Sequence, residues 1–251
     1  MAQITADICI IGAGSGGLSL AAGAAQMGAR VVLIEAGEMG GDCLNAGCVP
    51  SKALLAAGKA AQGVQAGARF GITAAPPQID FAAAMAHVAA TIAEIAPMDS
   101  QARFEGFGVQ VIRAWGRFIA KDTVQAGNDT IRARRFVIAT GSRPFIPPIA
   151  GIETVPYFTN ETIFAQTICP DHLIILGGGP IGLEMAQAHR RLGARVTVIE
   201  GARALGRDDP DAAAVVLAAL RAEGIDIREG APVQRIALGG AGIVAHLEGG
   251  A

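Results

Sequence analysis

Aromatic residues are scarce in this chain: one Trp, one Tyr and nine Phe among 251 residues. Charge is sparse and nearly balanced, with 20 Lys and Arg against 22 Asp and Glu, and no basic run stands out. That argues against a nucleic-acid or anionic-membrane partner. Cysteine is sparse too. The four present (Cys9, Cys43, Cys48, Cys169) are too few for a disulfide scaffold at this length. Cys9 and Cys169 read as small apolar residues, Cys9 in a buried strand. A cytoplasmic location is expected, where a disulfide is catalytic rather than structural. No apolar segment reads as long and glycine-poor enough to span a bilayer. The apolar N-terminus lacks a basic region and is broken by Gly12, Gly14, Gly16 and Gly17, which argues against a secretory signal. What abounds is small and apolar: 51% hydrophobic residues and 34 glycines. That composition suits an α/β protein of one large or two modest domains.

One unit is written twice. Residues 12–35, GAGSGGLSLAAGAAQMGARVVLIE, align without a gap on 177–200, GGGPIGLEMAQAHRRLGARVTVIE, at an offset of 165. Each copy follows an apolar strand and contains a glycine turn, a helix, a second strand and a terminal glutamate. The first glycine (Gly12, Gly177) makes the tight turn. The second (Gly14, Gly179) lets a pyrophosphate approach the backbone, and the third (Gly17, Gly182) lets the helix pack on the strand. The helix N-terminus offers free N–H groups to phosphate. Glu35 and Glu200 can bind the hydroxyls of an adenosine ribose. Two ADP units in one chain point to two dinucleotides, unless one copy is a decayed repeat kept for its fold. A carboxylate at Glu200 repels a 2′-phosphate and favours NAD over NADP, although Arg203 could soften that preference.

Between the copies lies MGGDCLNAGCVPSKALLAAGKAA, residues 39–61. Gly40 and Gly41 allow close backbone approach to a ligand. Cys43 and Cys48 are five residues apart, a spacing that in a regular helix turns the side chains about 140° from each other. A disulfide needs Cα atoms within about 7 Å. The segment 43–48 is therefore not regular helix if the bond forms, and Asn45 and Gly47 permit the irregularity. Pro50 suits the first turn of a following helix. Cys48 then lies at a helix N-terminus with Lys52 one turn on, the setting of a reactive thiol. Two unpaired cysteines and half of a metal site are the competing readings; the second lacks further Cys or His nearby, and no metal is expected.

The run GGDCLNAGCVPSKALL, following the glycine turn and Glu35, closely resembles the class I pyridine nucleotide–disulfide oxidoreductases, the family of dihydrolipoyl dehydrogenase, glutathione reductase and mercuric reductase. The resemblance runs from about Ile8 to at least Asp209. It implies two Rossmann-like units, FAD in the first and NAD(P) in the second. It implies that Cys48 faces the flavin, forming a charge-transfer complex when reduced, and that Cys43 is the interchange thiol. It also implies an ion pair between Lys52 and Glu184 near the flavin; without it, Glu184 reads equally as an ordinary helix residue. Ala139-Thr140-Gly141 resembles the family's segment closing the FAD domain, and Gly116 the strand whose neighbouring backbone meets the adenine. Trp115 beside it reads as a packed aromatic. Asp42 departs from the family, whose members carry a threonine there that touches the FAD phosphates.

Residues 53–66 and 81–105 read as two helices, a hairpin in the family. Residues 109–118 and 122–133 read as strands of a small antiparallel excursion. Pro144, Pro147 and Pro148 mark a linker, and residues 157–164 resemble the family's approach to its NAD domain. A helix is expected over 210–223 and a short strand over 225–229. The expected domains are FAD-binding, 1–148, and NAD(P)-binding, 149–251, both incomplete. The C-terminal dimerisation domain, with its His–Glu acid/base pair, is expected to be absent. The histidines at 87, 172, 189 and 246 read as surface or helix residues. The leading expectation is hydride transfer between NAD(P)H and FAD, then electron transfer to a Cys43–Cys48 disulfide. The acceptor would be a small disulfide, a dithiol or a metal ion; full-length relatives are homodimers. A catalytically incomplete nucleotide-binding fragment is the alternative, and electron transfer that bypasses the cysteines is a third.

Overall fold

Period-two alternation builds the first sheet. In the last part of β1 (Gln3–Ile11), Ile8 and Ile10 pack with one apolar core, while Cys9 and Ile11 pack with another. β2 (Val31–Ile34) divides the same way: Val31 and Leu33 join Ile10, whereas Val32 and Ile34 join Cys9. Strands covered on both faces read as unbroken apolar runs, as here. Cys9 is fully buried, and burial pushes its thiol up to about 12.

The computed structural model describes residues 2–240 and 242–249. These form two compact units, one of the chain up to Pro50 with Val88–Pro144, the other of Ser51–His87 with the chain from Phe145 onward. In the first, β1 and β2 flank α1 (Ser15–Gln26), and α2 (Gly41–Asn45) precedes the start of α3 (Cys48–Ala66). After α4 (Phe81–Ile95) and α5 (Gln101–Gly106) come β3 (Gln110–Ile112), β4 (Gly116–Ala120), β5 (Thr123–Ala126) and β6 (Asp129–Ile138). The sheet order is β3-β2-β1-β6-β5-β4. Its β3, β2, β1 and β6 run parallel, and β5 and β4 continue antiparallel. Leu18, Ala21 and Ala24 of α1 and Phe104 of α5 cover the Ile10 side, and Val124 and Ile131 share the core of Cys9.

Three expectations need correction. The stretch 81–105 is not one helix. Pro97 lies in a 3₁₀ turn over Ala96–Asp99, and the Ser100 hydroxyl then accepts the Arg103 N–H at 3.3 Å to start α5. The run Phe81–Gly106 is also, by length and composition alone, apolar enough to cross a membrane (mean hydropathy 1.4), which its alanines conceal from a reading by eye. Trp115 is not packed but 78% exposed.

The second unit repeats the parallel motif with β7 (His172–Leu176), α6 (Pro180–Arg191), β8 (Arg195–Ile199), α7 (Pro210–Ala222) and β9 (Asp226–Arg228), in the order β7-β8-β9. A separate hairpin of β10 (Val233–Gly239) and β11 (Gly242–Leu247) follows. Leu183, Val196, Val198, Leu217 and Ile225 fill its core. Arg191 grips Glu223 at the end of α7 through two bonds of 2.6 and 2.7 Å. Ser51–His87 groups with this unit because it packs on α6. A Cβ on Gly58 would lie 3.3 Å from the Cβ of Arg191, and the rings of Phe81 and His189 are 5.9 Å apart.

His189 is fully buried in α6; its Nδ1 is 2.8 Å from the Met185 carbonyl, and Nε2 has no hydrogen-bond partner among the described residues. Burial holds its pKa below the usual imidazole range. The unfolded chain thus binds a proton more readily than the folded one. Stability should fall as pH drops below about 6.5, the unperturbed imidazole value. His189→Leu should flatten that fall in urea titrations between pH 7 and 5. The remainder of the slope belongs partly to His172, which is shifted the same way, by burial first.

Candidate functional site: two glycine turns and a cysteine pair

In the first unit the chain leaves β1 through Gly12, at φ +108°. A Cβ there would sit 2.1 Å from the Ala139 carbonyl oxygen, and one on Gly17 would sit 1.9 Å from the Gly12 carbonyl oxygen. The turn thus carries the segment after β6 on one side and α1 on the other. The Ala139 N–H also donates to the Ile11 carbonyl at 2.8 Å. Thr140 and Gly141 continue from this contact, Gly141 at φ +67°. A second loop crosses the turn: the Gly40 N–H donates to the Ala13 carbonyl at 2.9 Å, and a Cβ on Gly41 would lie 2.7 Å from the Gly14 Cα. Gly14 and Gly41 form a side-chain-free cradle. Gly116 opens β4 within contact distance of Ile11 and Ile34, at the carboxyl ends of β1 and β2, where α/β sheets bind ligands.

Glu35 is held ready rather than loose. Its Oε2 accepts the Ala13 N–H and its Oε1 the Gly37 N–H, each at 2.6 Å. A carboxylate has about four lone-pair sites, so acceptor capacity remains for two ribose hydroxyls. The second unit reproduces this. Gly177 turns at φ +110°, and a Cβ on Gly182 would sit 2.2 Å from its carbonyl oxygen. Gly179 precedes α6, and Glu200 accepts the Gly178 N–H at 2.8 Å and the Ala202 N–H at 2.9 Å. One difference stands out. Space around Gly177 is open, where its counterpart Gly12 meets Ala139.

The N-termini sort themselves by capping. Helices α4, α5 and α7 begin under an oxygen of Asp80, Ser100 and Asp209 respectively. Helices α1 and α6 begin at Gly14 and Gly179 with no side-chain cap and no acid in the first turn. Their leading N–H groups are available to an anion, whereas the short α2, also uncapped at Gly40, carries Asp42 in its first turn. Both units therefore fit an ADP moiety: free amides, a cradle without Cβ atoms and an oriented carboxylate.

The cysteines meet at a helix break. α2 stops at Asn45, Ala46 leaves helical geometry at φ −144°, and α3 starts at Cys48 with Pro50 in its first turn. The Asn45 amide donates to the carbonyls of Met39 and Gly41 at 3.0 and 2.9 Å, fixing the loop. Asp42 folds its carboxylate over Gly47, where a Cβ would lie 2.7 Å from Oδ2. Cys43 is half-buried and Cys48 exposed. Burial, then the adjacent Cys48 thiol, pushes the Cys43 thiol up to about 11, while the Cys48 backbone N–H bonded to its sulfur works the other way. In the second unit Lys52 Nζ contacts both Glu184 oxygens at 2.7 Å.

The sequence reading missed two side chains that stitch the loops after the acids. Arg113 donates to the Gly37 carbonyl, and Glu229 accepts the Ala204 N–H at 3.0 Å. Each directly follows the residue whose carbonyl receives the acid's own N–H, Ile112 for Glu35 and Arg228 for Glu200. The gapless repeat stops at the acids, so only a gapped alignment of the third strands could have found them.

Residues 6–250 match the family model for pyridine nucleotide-disulphide oxidoreductases. The chain is 37% identical over 249 residues to a mercuric reductase of Streptomyces lividans, covering 97% of this chain and 52% of that protein. It is 34% identical over 230 residues to a dihydrolipoyl dehydrogenase of Thermus scotoductus, covering 90% and 49%. It is also similar to the HOCl-induced flavoprotein disulfide reductase RclA from Escherichia coli, at 31% identity and a TM-score of 0.81, covering 97% of this chain and 53% of that one. The chain spans about half the length of these relatives.

Two outcomes test the geometry. Gly17→Ala should abolish adenine-dinucleotide binding in dialysis and lower stability by roughly 2 kcal/mol or more, because the methyl group would meet backbone. In the reduced protein, alkylation of Cys43 followed by peptide mass spectrometry should keep accelerating beyond pH 9, toward about 11. A plateau near pH 8 would show that the thiol is not buried as described.

Proposed function

The chain belongs to the pyridine nucleotide-disulphide oxidoreductase family, and from that premise we propose that it binds FAD in its first unit, binds a nicotinamide dinucleotide in its second, and uses Cys43 and Cys48 as a redox pair. The observation that carries this reading is the meeting of two thiols at a helix break, in a chain that also starts α1 and α6 at glycine turns without a side-chain cap. When bound, the flavin supplies two-electron transfer between nicotinamide and cysteines.

The protein's part is to hold, orient and protonate. Gly12, Gly14, Gly17, Gly41 and the first amides of α1 would receive the FAD pyrophosphate, and Glu35 its ribose. Ala139, Thr140, Gly141 and Gly116 border the same end of the sheet. Gly177, Gly179, Gly182 and Glu200 would do likewise for the nicotinamide dinucleotide. The Glu200 carboxylate repels a 2′-phosphate, so NAD is preferred over NADP. Lys52 and Glu184 form an ion pair at 2.7 Å within the second unit, the pair that the family resemblance assigns to the redox site. Reducing the Cys43–Cys48 disulfide takes two electrons and two protons and yields two thiols. Cys43 is the thiol that exchanges with the acceptor, and its raised pKa keeps it protonated between turnovers at neutral pH. The acceptor is a small disulfide or dithiol, or a metal ion such as the Hg(II) implied by the mercuric reductase relatives.

The open space at Gly177, where Gly12 has Ala139, supports a second reading among the described residues: a chain that binds nucleotide without turning the cysteines over. Anaerobic NADH titration of the FAD-loaded protein separates the two. The redox reading expects a long-wavelength thiolate–flavin band and two more free thiols per chain after reduction; the binding-only reading expects neither. Cys43→Ser should keep FAD binding while disulfide turnover falls at least 100-fold. Turnover that persists in this variant would refute the cysteine mechanism, and NADH oxidation that alone persists would point to electron transfer bypassing the cysteines.

A further inference from the structure

The two units differ in charge at one matched position. In the first, the Glu35 N–H donates to the Ile112 carbonyl, and the next residue, Arg113, reaches the loop after Glu35 at Gly37. In the second, the Glu200 N–H donates to the Arg228 carbonyl at 2.8 Å, and the next residue, Glu229, reaches the loop after Glu200 at Ala204. One position performs one task, stitching the loop that borders the adenosine acid, with a cation in one unit and an anion in the other.

That loop is closely bound. The Leu205 N–H donates to the Gly178 carbonyl at 2.9 Å, and the Gly206 N–H to the Arg203 carbonyl at 3.2 Å. Leu205 sits at φ +51°, a region that a leucine adopts at a cost. A Cβ on Gly178 would lie 2.8 Å from the Ala204 Cβ, so the loop lies directly on the glycine turn. Glu229 ties it down through Ala204 and binds Arg221 Nη2 at 2.7 Å through its other oxygen. Arg203, next to Ala204, is exposed. Arg221 first and Arg203 last among the favourable contributions hold the Glu229 carboxyl below its usual range.

We propose that Glu229 is a specificity-determining residue of the second unit: bonded to the loop after Glu200 at Ala204, next to Arg203, it pairs with Arg221 and so denies a 2′-phosphate the cations it would pair with. The proposal rests on the reading of this unit as the nicotinamide site. Glu200 acts by direct repulsion. Glu229 acts through the two arginines, which without it would form a doubly positive rim able to receive a phosphate. The counterpart position in the first unit needs no such device, since FAD carries no 2′-phosphate; there the residue is Arg113.

Calorimetric titration of NAD⁺ and NADP⁺ into the FAD-saturated chain at about 50 mM salt, where surface charges are less screened, tests this. The readout is the ratio of the two dissociation constants. Wild type should favour NAD⁺. Glu229→Gln should lower the preference about fivefold, mostly by tighter NADP⁺ binding, and adding Arg203→Ala should reverse the gain. A merely structural role would weaken both ligands equally and leave the ratio unchanged, which overturns the proposal. Arg221→Ala, on a half-exposed side chain, should move the ratio the opposite way, and it decides the matter if Glu229→Gln does not fold. If wild type binds neither dinucleotide, the reading of the second unit fails and the proposal with it. Binding of NAD⁺ with an unmoved ratio in the variants sinks the proposal alone.

Discussion

A methyl group at Gly17 would stand 1.9 Å from the carbonyl oxygen of Gly12, and one at Gly182 would stand 2.2 Å from that of Gly177. Everything else in each unit depends on this backbone-to-backbone approach. It lets the helix start directly over the end of the strand, with its leading N–H groups bunched at the carboxyl edge of the sheet. The positive φ at Gly12 and Gly177 follows from the same tight turn. So does the position of the acids: Glu35 and Glu200 end strands that pair with β1 and β7 in fixed register, and each reaches back to an amide of its own turn.

These carboxylates serve twice. Each order their loop through two backbone donors, and each retains lone pairs for a ligand. The arrangement is preorganised, so binding need not first immobilise a flexible glutamate. The uncapped starts of α1 and α6 show the converse economy. Elsewhere Asp80, Ser100 and Asp209 satisfy the helix ends from within the chain. Where the chain supplies no cap, an external anion has the best claim on those donors.

Much of this was legible in the sequence because each requirement falls on a single residue type. Only glycine fits at positions 12, 17 and 177, and only an apolar run fits a strand buried on both faces, so the repeat announced itself. The break between Cys43 and Cys48 was legible for a related reason: a spacing of five conflicts with helix geometry. What stayed hidden depends on contacts between distant segments. Alanine-rich 81–105 reads as one helix until Pro97 and Ser100 are weighed locally. The grouping of Ser51–His87 with α6 rests on Gly58 meeting Ala188 and Arg191, and on Phe81 meeting His189. No pattern within either segment records those meetings. Arg113 and Glu229 were missed because the loop bonds they make go to backbone atoms, and the gapless repeat ends before the third strands that carry them.

The cysteine loop shows how local geometry sets chemistry. The chain must bring together two side chains that a continuous helix would point apart. It does so by ending α2 at Asn45, crossing Ala46 and Gly47, and restarting at Cys48. The Asn45 amide secures the first half by bonding back to Met39 and Gly41. Asp42 occupies the space that Gly47 leaves free, so the residue that departs from the family pattern lies against the turn itself. The outcome is asymmetric. Cys43 is half-buried beside its partner and keeps its proton, whereas Cys48 is exposed at the start of a helix. Two thiols of one covalent type thus acquire different environments from a five-residue break. That difference in burial and proton affinity is what the proposed division of labour between the two thiols draws on.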